Sequence, residues 1–356
     1  MKKNPRLDID LYKISHNTKS IINMCRRKKI TVVGITKGCS ADEKVAKAMV
    51  KGGIRILGDS RLKNIKKIRE SKIDAEIMLI RIPMQSEIEE IIEYTDISLN
   101  SEFSTIQKLS DIAKEKNKKH KIILMVEMGD LREGILPEKI GALARKVINL
   151  PMIEFLGIGA NFSCVSGVLP TTEKLNTLVS LAKKIERKEN IKIKIISGGS
   201  TSALKLLEDN GIPEEVNQLR IGTGILIGQD DIHLQSLKGT FQDAFILTAE
   251  IIEIKIKPSF PKGKIGRDAF GNIPEFKDIG LRKRAILALG KQDIYLNGIT
   301  PVKEGIRIIG ASSDHLIVDV TNLKDTLEVG DKMRFYLNYP AILKATTSKY
   351  IYKYYN

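Results

Sequence analysis

The chain has 356 residues, 42% of them hydrophobic and 29% charged, which excludes a disordered chain and exceeds what one hydrophobic core usually holds. Fifty-nine basic residues against 43 acidic ones give a formal charge of +16, a balance that raises nucleic acid as a partner. The lysines, however, are scattered along amphipathic segments such as 63–72 and 114–121, there is no tryptophan, and aromatics are only 5%, so the charge reads as solvated surface and no nucleic-acid partner is expected.

In chain order, the first two-thirds alternate short apolar runs with longer helical patterns. Residues 31–36 are β-branched and apolar, and 41–51 follow as a helix. Residues 54–57 precede a helix over 61–71, and 76–82 and 96–99 are the next two strands. Segments 121–127, 154–159, 192–196 and 218–221 complete a set of eight. Eight short strands separated by helices argue for a parallel sheet, and eightfold alternation over about 220 residues suits a closed (β/α)8 barrel of the TIM type. A doubly wound open sheet with one miscounted strand is the alternative. Past Gly239 the pattern changes to strands at 245–256, 285–289, 306–311, 316–320 and 332–337, divided by turns such as Asn297-Gly298 and Val329-Gly330-Asp331. The expected organisation is a barrel over 1–235 and an all-β domain over 236–356.

Several chemistries fall away early. No run approaches the ~20 uncharged apolar residues of a membrane span, so no membrane partner is expected. Arg6, Asp8 and Asp10 stand where a signal peptide needs its apolar stretch, so the expected location is cytoplasmic. Cys25, Cys39 and Cys164 are odd in number and far apart, and the four histidines share no ligand spacing, so neither a disulfide framework nor a metal is expected.

Active sites of such barrels gather at the carboxyl ends of the strands. The first strand ends Gly34-Ile35-Thr36-Lys37-Gly38, which poises Lys37 to project into the mouth as an imine-forming amine, or leaves it as one more solvated lysine. The seventh ends Ser197-Gly198-Gly199-Ser200-Thr201-Ser202 and the eighth Arg220-Ile221-Gly222-Thr223-Gly224. Glycines that let the backbone approach an anion, hydroxyl donors and helix amino termini at these two strands point to a bound phosphate. The fifth leads into Met128-Gly129-Asp130-Leu131-Arg132-Glu133-Gly134, where Arg132 either grips a substrate carboxylate or is held in an ion pair by Asp130 or Glu133. An amine, a phosphate cradle and an arginine for a carboxylate together suggest pyridoxal phosphate acting on an amino acid.

The blocks Leu7-Asp8-Ile9-Asp10-Leu11, Met128-Gly129-Asp130-Leu131-Arg132-Glu133-Gly134, Ser197-Gly198-Gly199-Ser200-Thr201 and Ala288-Leu289-Gly290-Lys291-Gln292-Asp293 span nearly the whole length. Together they make the chain similar to the alanine racemase family of pyridoxal-phosphate enzymes, and within it to the ornithine racemase branch. The resemblance implies a homodimer whose β-domain completes the partner's active site. It implies that Lys37 forms the covalent link to the cofactor and acts as one acid/base, and that Arg220 faces the pyridine nitrogen. Ser200, Thr201, Gly222, Thr223 and Tyr350 match phosphate contacts, and Arg132 matches the arginine at the substrate carboxylate. Asn161 stands where the family packs a histidine against the ring.

The family's second base, a tyrosine from the partner, is missing. Counting from Gly263 puts Asp268 there, while Phe270-Gly271 is the other alignment. Asp268 is the expected second base, with a turn residue or a contact to a basic side chain as the competing role. Gly290-Lys291-Gln292-Asp293 replaces the family's Gly-Tyr-Ala-Asp, which argues against alanine as substrate. The implied activity is racemisation of a basic amino acid, ornithine first and lysine next, with Asp130, Glu133, Asp268 or Asp314 receiving the side-chain ammonium. An aldolase or decarboxylase on the same fold is the competing enzyme class, and a non-catalytic cofactor-handling protein the competing class outside enzymes.

Overall fold

The first strand, β1 (Arg6–Ile9), lies outside the barrel. It pairs antiparallel with 245–248 and in parallel with Tyr352–Tyr355, burying Leu7 and Ile9 on one face. The structure, a computed structural model, describes residues 2–230 and 232–356. They divide into two units, Leu11–Gln242 and residues 2–10 with Asp243–Asn356. This differs from the sequence-based boundary of 1–235 and 236–356 in two places, each with a physical cause. Four residues of alternation are too short to announce β1 as a strand of the distant sheet. At the other end, residues 239–241 are tied to the first helix, α1 (Leu11–Arg26). The Asn17 side chain there bonds Phe241 N at 2.7 Å and Phe241 O at 2.8 Å, and His16 Nε2 lies 3.0 Å from Gly239 O.

The barrel then follows in order, alternating strand and helix. Its elements are β2 (Thr31–Ile35), α2 (Glu43–Lys51), β3 (Ile56–Asp59), α3 (Leu62–Glu70), β4 (Glu76–Leu79), α4 (Ile88–Tyr94), β5 (Ile97–Asn100), α5 (Phe103–Glu115) and β6 (His120–Val126), continued by α6 (Ile140–Ile148), β7 (Ile153–Ala160), α7 (Thr172–Glu189), β8 (Ile195–Ser197), α8 (Ala203–Glu208), β9 (Gln218–Ile221) and α9 (Thr223–Ile227). Strands β2 to β9 are parallel and close into a barrel through the β2–β9 pair. This realises the TIM-type fold and removes the open-sheet alternative. Strand alternation sends every second residue inward. Val33, Ile35, Ile56, Met78, Ile97, Leu99, Ile123, Met125 and Leu156 form one interior apolar cluster, with Ile195 packed against it, so β2 to β7 line much of the barrel with hydrocarbon. Polar side chains enter the interior from β8 and β9. Gly159 pairs with Ser197, Ser197 with Gln218, and Arg220 with the inward-facing Val33, so Ser197, Gln218 and Arg220 share the inner face.

The second unit carries an antiparallel sheet of β10 (Phe245–Pro258), β11 (Leu281–Leu287), β12 (Ile299–Pro301), β13 (Arg307–Ala311), β14 (Leu316–Asp319) and β15 (Lys332–Leu337), then α10 (Tyr339–Thr347) and β16 (Tyr352–Tyr355). The sheet runs β12-β15-β10-β11-β14-β13, with β1 joining β10 to β16. Its most constrained charge is Asp319, 2% exposed, which accepts from Arg282 Nε at 2.8 Å, Arg307 Nη2 at 3.2 Å and Thr321 Oγ1 at 2.7 Å. Burial disfavours its charge, but these donors overcome that and hold the carboxyl well below the ordinary carboxylate range. A depressed folded-state pKa gives stability that is present above the unfolded carboxylate pKa of about 4 and is lost as pH falls below it. Asp319→Asn is therefore expected to lower the melting temperature at pH 7 and to flatten its decline between about pH 4 and pH 2, as read by thermal denaturation across pH. An unchanged acid limb would show that the cluster is not linked to folding.

Candidate active site

Lys37 opens the short 3-10 turn Lys37–Cys39 directly after β2, at the carboxyl end of a barrel strand, where the mouth lies. The turn that carries it is clamped. Thr36 is fully buried, its N bonds Gly58 O at 2.9 Å and its Oγ1 donates to Asp59 Oδ2 at 2.7 Å. Cys39 N and Ala41 N both return to Thr36 O, at 3.0 and 3.2 Å. Ser40 and Ala41 then take left-handed φ angles of 53° and 49°, an uncommon conformation for non-glycine residues that functional loops often store. Among the described residues the Lys37 ammonium has no hydrogen-bond or ion-pair partner, while it lies within electrostatic reach of the Cys164 thiol.

Arg220 is 4% exposed and is the most constrained cation of the barrel. Its Nη1 donates to Ser197 Oγ, and its Nη2 donates to Ala160 O and Asn161 Oδ1, both at 2.6 Å. Nε makes none of these bonds. Burial draws its pKa down to about 10, against which Cys164 and Glu133 act, so it remains charged at neutral pH. Ser197 Oγ in turn donates to Gln218 Oε1 at 2.9 Å. The sequence places Ser197 only in the turn that ends the seventh strand and gives Gln218 no site role. The available signal was polar side chains two residues apart on a buried strand, Gln218 and Arg220, which places both inside a barrel.

The loop after β6 doubles back on its strand. Ile135 N reaches Met125 O at 2.8 Å and Glu127 N reaches Ile135 O at 2.9 Å. Gly134 sits between at φ +137°, where a Cβ would lie 2.6 Å from Glu127 N, so this return requires glycine. Arg132 and Glu133 are thereby held at the mouth. Arg132 donates through Nε to Glu133 Oε2 and through Nη2 to Glu133 Oε1, the latter at 2.7 Å. Asn161 Nδ2 donates to the same Oε1. Asp130, 1% exposed, does not touch Arg132. Its carboxylate accepts the backbone N–H groups of Cys164, Val165 and Ser166 at 3.2–3.4 Å and anchors the loop after β7.

At the ends of β8 and β9 stand Ser200 and Thr201, then Gly222 and Thr223. Thr201 Oγ1 accepts from Gly224 N at 3.3 Å and ties the two turns together, while Ser200 Oγ is 3.2 Å from Ser202 Oγ. The following helices, α8 and α9, are short, so hydroxyls and turn amides are the donor groups these two turns carry. Among the described residues no group of three metal-ligating side chains occurs, and no helix is long and apolar enough to cross a membrane.

Three of the sequence-derived residues belong to the second unit. Tyr350 is exposed and its N bonds Ser348 Oγ at 3.2 Å. Asp314 is exposed in the turn before β14, where its Oδ1 accepts from His315 Nδ1 at 2.9 Å and Ser312 Oγ at 3.1 Å. His315 foremost, then Ser312, hold that carboxyl below its ordinary range. Asp268 accepts the N–H groups of Phe270 and Asn272 at 2.9 and 2.8 Å, and lies 3.8 Å from Lys291 Nζ, which also sits 3.8 Å over the Phe270 ring.

A family model described as the N-terminal domain of alanine racemase matches residues 9–230. The chain belongs to the alanine racemase family. Over 99% of its length it is 41% identical to the lysine racemase of Thermotoga maritima, 98% of which is covered. Over 98% it is 39% identical to the ornithine racemase of Acetoanaerobium sticklandii, 99% of which is covered. Its fold is similar to a solved alanine racemase of Clostridium difficile at TM-score 0.76, covering 100% of this chain and 97% of that one at 18% identity. It is also similar to the D-threonine aldolase of Filomicrobium marinum at TM-score 0.75, with coverage of 97% and 89% at 12% identity. These two likenesses carry the fold alone. The family uses pyridoxal phosphate, and the donor set at this mouth suits such a group. It offers one unpartnered amine, one buried guanidinium with Nε unbonded, and hydroxyls and amides on two linked turns.

Proposed function

We propose that this protein binds pyridoxal phosphate through Lys37 and racemises a basic amino acid, ornithine or lysine, as a cytoplasmic homodimer. The observation that carries the reading is the placement of Lys37 on the turn directly after β2 and of the buried Arg220 on β9, the strand paired with β2, in a chain aligned end to end with lysine and ornithine racemases. When bound, the cofactor supplies an electron sink for the carbanion at Cα. Lys37 moves the proton on one face of Cα. Arg220, buried and charged at neutral pH, would face the cofactor's pyridine nitrogen as a permanent donor, an environment that would favour return of the proton over transamination. Ser200, Thr201, Gly222 and Thr223 hold the phosphate, with Tyr350 contributing from the β-domain. Asn161 orients Arg220, and Arg132 takes the substrate carboxylate.

The remaining assignments fall to the β-domain. Asp130 and Glu133 are occupied inside the barrel loops, which leaves Asp314 to receive the side-chain ammonium and Asp268 to serve as second acid/base. The 22-residue connection between β10 and β11 exposes Phe260, Ile265, Phe270, Ile273, Phe276 and Ile279, and such a run is suited to burial against a second copy. The test follows loss of the α-proton by NMR in deuterated water, with the cofactor and L-ornithine, L-lysine or L-alanine, and reads product chirality on the same samples. Exchange with inversion is expected for ornithine and lysine but not for alanine. Release of carbon dioxide or an aldehyde would move the protein to the decarboxylase or aldolase class.

A further inference from the structure

We propose that Glu133 is a positioning residue: it holds one edge of Arg132 so that the opposite edge meets the substrate carboxylate, and through Asn161 it ties that guanidinium to Arg220. The inference rests on the racemase reading above. A guanidinium has two edges able to grip a carboxylate, one formed by Nε with Nη2 and one by the two Nη nitrogens. Glu133 occupies the first with both carboxylate oxygens. The second carries no bond among the described residues. Because the guanidinium is planar, fixing the first edge fixes the direction of the second. Glu133 therefore aims Arg132 and does not compete with a ligand for it.

The anchor is itself held. Glu133 Oε1 also accepts from Asn161 Nδ2, Asn161 Oδ1 accepts from Arg220 Nη2 at 2.6 Å, and the obligatory glycine at 134 locks the chain immediately after it. Asn161 thus links Arg220 to the carboxylate that pairs with Arg132, while the adjacent Asp130 is committed to backbone N–H groups. The unbonded edge of Arg132 is the one left to meet an α-carboxylate. Arg132 and Glu133 side chains are 34% and 20% exposed. A pair this open adds little to stability, so its place in the fold does not by itself account for it.

The experiment compares holoenzyme of the wild type with Glu133→Gln, Glu133→Asp and Asn161→Ala. Racemic ornithine and racemic ornithinamide, which lacks the carboxylate charge, are titrated while the absorbance of the bound cofactor is followed. Glu133→Gln is expected to reduce the preference for acid over amide roughly tenfold, with amide affinity and melting temperature little changed. Glu133→Asp keeps the charge without the reach and is expected to lose most of the same preference. Asn161→Ala removes both the hold on Glu133 Oε1 and the link to Arg220 but keeps the Arg132–Glu133 pair, so it should lose less of the preference than Glu133→Gln while the apoprotein binds pyridoxal phosphate several-fold more weakly by fluorescence titration. An unchanged acid-to-amide ratio in Glu133→Gln overturns the proposal while racemisation by the wild type stands. Equal loss of acid and amide affinity with a lowered melting temperature also overturns it, in favour of a structural ion pair. A wild type that neither binds the cofactor nor racemises removes the racemase reading, and this inference with it.

Discussion

Lys37→Ala is expected to lower both racemisation and α-proton exchange on the order of 10³-fold or more, since in the proposed mechanism one residue would supply both the covalent attachment and one of the two acid/bases. The folded state should be nearly unaffected. The turn is held by Thr36, through Gly58 O and Asp59 Oδ2, and no bond of the Lys37 side chain contributes to it. The cofactor should therefore leave the variant on dialysis while the melting temperature stays near that of the apoprotein. Small primary amines added to the buffer should restore part of the exchange, because they replace the missing amine without its tether. Lys37→Arg keeps the charge and cannot form the imine, so it should behave like Lys37→Ala. Full racemisation by Lys37→Ala without added amine would remove Lys37 from the mechanism.

The barrel was legible because most of its strands are short apolar runs, and the helices between have clear amphipathic spacing. What escaped was set by partners distant in sequence. Residues 6–9 become a strand only because 245–248 and Tyr352–Tyr355 flank them. The three-residue β12 exists by pairing with β15, and β16 by pairing with β1. The site divides in the same way. The positions of Lys37 and of the two glycine- and hydroxyl-rich turns could be placed at strand ends, since position along a strand is local information. The two roles left open for Arg132 could not be separated from sequence. Which edge of its guanidinium faces Glu133 depends on the return of the chain through Gly134 and on Asn161 from the next strand. The polar lane of Ser197, Gln218 and Arg220 likewise needs the register of β7, β8 and β9, which no single segment encodes.

Asp268→Asn separates the two roles open to that residue. As the second acid/base, its loss is expected to slow inversion by roughly 10²- to 10³-fold while Lys37 still exchanges the α-proton on its own face. The substitution is suited to the purpose because an amide oxygen can still accept the N–H groups of Phe270 and Asn272 that shape the turn. Asn272 N foremost, with burial opposing and Phe270 N and Lys291 assisting, holds the Asp268 carboxyl below its ordinary range. It is therefore ionised at neutral pH, the form a base needs, and a weaker base than an ordinary carboxylate. A residue that only shapes the turn would leave inversion and exchange intact in Asp268→Asn. Subunit mixing then locates the carboxylate. In the proposed dimer Asp268 serves the partner's barrel, so a heterodimer of Lys37→Ala and Asp268→Asn subunits has one site with both lesions and one with neither. Random reassortment of the two inactive variants should recover roughly a quarter of wild-type racemisation, because half the dimers are mixed and each has one complete site. If Asp268 acts on its own subunit's barrel, no mixed dimer contains a complete site and nothing is recovered.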